Sequence, residues 1–136
     1  MIRKLSILAA VVATLAVTVS VVTAGNAHFV GTPSISVSGN SVDVSGKVAG
    51  LGNVPQIHVA VTGEAQCVNP GSHKPSAGNK QSVGAEGDFP VQNGKANFSL
   101  RLTATFQPTC TGPMTIEWSN IRITVTASDG TSITYP

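Results

Sequence analysis

The sequence predicts an all-β domain, an immunoglobulin-like antiparallel β-sandwich of seven to eight short strands held by one disulfide. Three observations carry that expectation. From Ser34 onward apolar and polar residues alternate with a period of two, and no stretch sustains the 3.6-residue apolar period of an amphipathic helix. Gly39-Asn40, Asn93-Gly94 and Asp129-Gly130 punctuate the alternation at hairpin positions. Strands with one apolar face need a second sheet to cover it, which favours a sandwich, with a small closed β-barrel as the alternative.

The elements follow in order. Ile35 and Val37 alternate with serines, Gly39-Asn40 turns the chain, and Val42, Val44 and Val48 return, with Gly46 in the apolar phase. Pro55, after Gly50-Leu51-Gly52-Asn53, closes this hairpin, because proline cannot donate to a central ladder. From Gln56 to Cys67, Ile57, Val59, Val61, Ala65 and Cys67 share one parity, with Gly63 at a candidate bulge. Cys67 therefore points inward. Gln81 to Asp88 carries little strand signal and extends a loop over 68–88; Phe89 and Val91 then make a short edge strand blunted by Pro90. Phe98, Leu100, Leu102, Ala104 and Phe106 form the clearest strand, ended by Pro108. Met114, Ile116 and Trp118 share a parity, as do Ile121, Ile123, Val125 and Ala127, before a final strand over Ser132–Tyr135. Trp118 follows the second cysteine instead of standing between the pair, so the comparison with immunoglobulin domains is one of architecture.

The N-terminus predicts export. Arg3 and Lys4 precede an uncharged apolar run, Leu5 to Val22, and small residues offer a signal-peptidase cut after Ala24 or after Ala27. Residues 1–27 are read as a signal peptide and 28–136 as one domain. An uncleaved anchor is the alternative, because the run is long for a signal. Two of the eight Lys and Arg lie in that segment, so the remaining six balance the six Asp and Glu. Without a positive field, neither nucleic acid nor an anionic membrane is an expected partner. An oxidising compartment pairs Cys67 with Cys110, the two cysteines of the chain.

Gly50-Leu51-Gly52-Asn53, the Val/Thr strand into Cys67-Val-Asn-Pro-Gly, Asn93-Gly94 before a long strand, and Cys110-Thr-Gly-Pro-Met-Thr before a closing hairpin resemble small secreted actinobacterial proteins of unknown function. The resemblance covers most of the mature chain. It implies an exported, single-disulfide β-domain and brings no site residues with it.

Catalytic constellations are not expected. No Gly-x-Ser-x-Gly elbow occurs, and Asp43, Glu64 and Glu117 take the solvent parity of their strands. Glu86 and Asp88 stand two apart near the loop's end, an acid–base spacing outweighed by a plain hydrophilic loop. Tyr135 is the one aromatic residue that looks free to stack on a sugar. Two readings remain. In the first, the loop 68–88 presents Asn69, His73, Lys74, Asn79 and Lys80 to another extracellular protein or a cell-surface component, without a cofactor. In the second, a cut after Ala27 frees the amine of His28, and copper is chelated by His28 together with His58 or His73.

Overall fold

Alternating Val, Ile and Thr residues separated by glycine-containing turns build eight strands in the computed structural model, which describes residues 26–70 and 79–136. They are β1 (His28–Phe29), β2 (Ser34–Ser38), β3 (Ser41–Ala49), β4 (Gln56–Val68), β5 (Lys80–Pro90), β6 (Ala96–Thr103), β7 (Thr115–Ala127) and β8 (Ser132–Tyr135). All pairings are antiparallel. In one sheet β6 flanks β3 on one side, and β2 and β1 share its other side. The second sheet runs β5-β4-β7-β8. The sandwich expectation holds. Most of the signal segment, with His73 and Lys74 of the loop, lies outside the described residues. Among those residues no helix is long and apolar enough to cross a membrane.

The core is the inward parity of both sheets. Val42, Val44, Val48, Phe98 and Leu102 face Ile57, Val59, Val61, Ile123 and Val125, and no polar side chain among the described residues is buried with them. Burying each such side chain contributes roughly 1.5–3 kcal/mol. Gly46 has a steric reason to be glycine. It stands opposite Phe98 in the β3–β6 register, and a Cβ there would lie 2.7 Å from the Phe98 ring. Phe98 fills that space and makes edge contacts with Phe29 and Phe89, ring centroids 6.4 Å away in each case.

The turns follow their chemistry. Gly39, with φ of 59°, opens the two-residue turn that pairs Ser38 with Ser41. Asn93 and Gly94 both take positive φ, 55° and 75°, as a type I′ turn requires, and Gln92 and Lys95 exchange backbone hydrogen bonds across it.

Four differences from the sequence expectation have physical causes. First, the segment read as loop from Gln81 to Asp88 belongs to β5, which pairs with β4 from Gln66↔Lys80 to Gln56↔Pro90. Its inward positions are Gln81, Val83, Ala85 and Gly87, too small or polar to advertise a strand, and the backbone ladder supplies the order. Second, the two apolar runs around Asn120 form one strand. The register slips where Asn120 and Ile121 together face Gly63, with Asn120 in the left-handed region at φ 52°. The bulge thus falls on β7, and Gly63 makes room for Ile121, whose Cδ1 would lie 2.6 Å from a Cβ on Gly63. Third, β6 stops at Thr103, because β3 has turned away; the Ala104 amide donates to the Asn40 carbonyl in the turn. Fourth, Tyr135 is not free: its ring packs edge-on against Phe29 at 5.9 Å.

Candidate functional site

β4 ends at Val68 and β5 begins at Lys80, so the segment joining them, 69–79, is shorter than the expected loop 68–88. Alternation along β4 turns Cys67 inward at the strand's end, where it bonds to Cys110 with the Cα atoms 5.8 Å apart. Beneath the bridge Ala65, Cys67, Ala104 and Phe106 are buried, with Val83, Met114, Ile116 and Trp118 packed around them. The Trp118 indole N–H donates to the Gly39 carbonyl at 3.1 Å. The loop's other stem is held by Gln81. Its side-chain amide donates to the Thr105 carbonyl at 2.6 Å and accepts from the Thr105 N–H at 3.2 Å. Both stems are therefore tied to the same connection, residues 104–114 between β6 and β7.

Of the candidate loop residues, Asn69 and Lys80 are exposed and Asn79 half-buried; His73 and Lys74 fall outside the described residues. A depression of ≈ 330 Å³ beside the β5 stem is lined by Glu64, Gln66, Lys80, Gln81 and Ser82. At the opposite end of the sandwich a cleft of ≈ 600 Å³ lies among Gly50, Gly52, Asn53, Pro55, Asn93 and Lys95. Lys95 is the one ionisable side chain among its lining residues.

Of the candidate copper ligands, His73 lies outside the described residues, and His28 and His58 are not brought together. His28 is exposed, on the side of β1 opposite Phe29, which faces the core, whereas His58 lies on the outer face of the other sheet. Two packed sheets, about 10 Å apart, separate them. Ala27 packs on the core, and the His28 ring nitrogen Nδ1 lies 2.8 Å from the Asn26 carbonyl. Among the described residues no group of three or more His, Cys, Asp or Glu is placed to hold a metal ion.

His58 instead centres an arrangement that single-strand parity could not reveal. The β4–β5 register sets it opposite Asp88 and diagonal to Glu86. In the doubly protonated ring, Nδ1–H donates to Asp88 and Nε2–H to Glu86, both at 2.7 Å. The signal in the sequence was the Glu86–Asp88 spacing of two, which places both carboxylates on one face once the segment is a strand. The hydrogen bond to Asp88, then that to Glu86, raises the His58 pKa above its ordinary 6.5. On the other sheet Arg101 forms a two-pronged pair with the directly opposite Asp43, at 2.7 and 3.1 Å, and holds that carboxylate below its usual range. Exposed pairs of this kind contribute little to stability.

Because the folded pKa of His58 is raised, its stabilising contribution is complete below the unfolded value of 6.5 and fades as pH rises through the folded value. A proton NMR titration is expected to place the His58 midpoint above 6.5, with Asp88→Asn lowering it more than Glu86→Gln. A midpoint at or below 6.5 would contradict the doubly bonded imidazolium.

Comparison with known proteins gives little more. No protein-family model matches the chain. No curated protein matches it. Among solved structures it is similar to Spo0M, a sporulation control protein from Bacillus subtilis, with 12% identity and a TM-score of 0.44. The match covers 80% of this chain and 46% of that one, so the chain spans about half of its length.

Proposed function

We propose that this is an exported, non-catalytic recognition module that presents the loop 69–79 to another extracellular protein or a cell-surface component. One observation carries the reading: both stems of the loop are fastened to the 104–114 connection, by Cys67–Cys110 on one side and by Gln81–Thr105 on the other. A loop held at both stems is ordered where it meets the sheet and loses less entropy on binding. The disulfide favours an oxidising compartment, in keeping with the signal-like N-terminus. The strand order β2-β3-β6 against β5-β4-β7-β8 supports an immunoglobulin-like arrangement, although the bridge joins β4 to the β6–β7 connection and not the two sheet centres.

Substituting both His73 and Lys74 with alanine tests the reading. Both fall in the sequence between the end of β4 at Val68 and the start of β5 at Lys80, so Tm is expected to stay within about 2 °C while capture of envelope components weakens. A fall in Tm of about 10 °C would instead make the loop a structural element.

A further inference from the structure

Among the described residues β2 leaves an apolar strand edge open. All five of its residues are exposed, including Ile35 at 37% and Val37 at 54%, although these two stand opposite Val44 and Val42 on the core side of the sheet. β1 beside it is only two residues long, and the edges at β5, β6 and β8 are defended. β5 carries Lys80, Glu86, Asp88 and Pro90. β6 carries Arg101 and leads into the Gln81 clamp at Thr105. The short β8 packs Ile133 and Tyr135 on the core and meets Pro136.

We propose that β2 pairs with β2 of a second copy of this chain, antiparallel about a twofold axis through Ser36. The strand Ser34-Ile35-Ser36-Val37-Ser38 is a chemical palindrome. Centred on Ser36, it sets Ile35 against Val37 of the second copy, and Ser34 against Ser38 of the second copy. The backbone is in phase for this. Ser38 and Ser41 flank a two-residue turn and so form a hydrogen-bonded pair, as do Ser36 and Ser34 with their partners by alternation. The N–H and C=O groups of Ile35 and Val37 therefore point to the open edge, where each finds its complement across the axis. The strand's symmetry selects the occupant: an isologous contact needs a self-complementary edge, and this uncharged strand sets no like charges against each other across the axis. The contact is isologous, so it uses up the edge and closes at two copies. A five-residue edge covers less than the ~1,200 Å² of a standard interface, so the dissociation constant is weaker than about 1 μM.

The test is sedimentation equilibrium of the exported chain up to about 1 mM, where a dimer of such affinity is populated. Val37→Lys should weaken it about tenfold or more, and Ile35→Glu with Val37→Lys should restore it, because the register sets the new Glu against the new Lys. Ser36→Cys should cross-link to itself on mild oxidation, since a non-hydrogen-bonded pair brings Cα atoms to about 4.5 Å, within disulfide reach. Ser38→Cys should not. A chain monomeric at about 1 mM would overturn the proposal and leave β2 to a different protein. A dimer indifferent to Val37→Lys, or cross-linked equally through position 38, would place the contact elsewhere and overturn it as well.

Discussion

Phe98→Ala is expected to destabilise the protein by about 3–5 kcal/mol, lowering Tm by more than about 10 °C. The ring lies over Gly46, touches Phe29 and Phe89, and is 3% exposed, so no neighbouring side chain refills its volume at the Gly46 side. A companion substitution separates this account from generic loss of hydrophobicity. Gly46→Ala alone should cost roughly 1–3 kcal/mol, because its Cβ would lie 2.7 Å from a rigid ring. In the Phe98→Ala background that clash is gone and the added methyl occupies part of the void. The double mutant should therefore be more stable than the sum of the singles by about 1 kcal/mol or more in urea denaturation. Additivity within about 0.5 kcal/mol would mean that the two positions do not share one space.

Removing the Cys67–Cys110 bond is the second large effect. It closes a sequence separation of 43 residues. In the chain-entropy model such a link is worth ~3–4 kcal/mol, which is a large fraction of the stability of a domain this size. The loss should have a local signature too. Cys67 and Cys110 pack with Ala65, Ala104 and Phe106 in the small cluster under the loop, so releasing the bridge loosens the β4 stem before the centre of the sandwich. Reduction, or replacement of both cysteines by alanine, should lower Tm by about 10 °C or more and expose residues 69–79 to proteolysis first. Two free thiols in the native protein, or an unchanged Tm on reduction, would refute the bridge as a structural element.

Much of the fold was readable from side-chain parity because its strands carry large apolar residues at alternate positions. Ile57, Val59 and Val61, and Ile123, Val125 and Ala127, announce their inward faces, and the same parity carries Cys67 inward. β5 was missed for the opposite reason. Val83, Ala85 and Gly87 are small, and their strand exists through its ladder with β4, which no local pattern encodes. Parity likewise put His58 on a solvent face but not beside Glu86 and Asp88, which lie 28 and 30 residues away and meet it only through the β4–β5 register. Ile35 and Val37 show the limit from the other side. Their alternation correctly predicted the strand and the face, but burial depends on whether the second sheet reaches that edge, and at β2 it does not. The Gln81–Thr105 clamp needed the partner backbone to be known and left no trace in the sequence.

The central claim is that the loop 69–79 is a display held by a rigid base. Its most direct measurement exchanges residues 71–78 for an equal number of Gly and Ser and follows both Tm and retention on cell-envelope material. Because Cys67–Cys110 and Gln81–Thr105 stay in place, Tm is predicted to remain within about 2 °C while retention falls about tenfold or more. Full retention by the exchanged chain would contradict the account, since recognition would then reside on the sandwich and not on the loop.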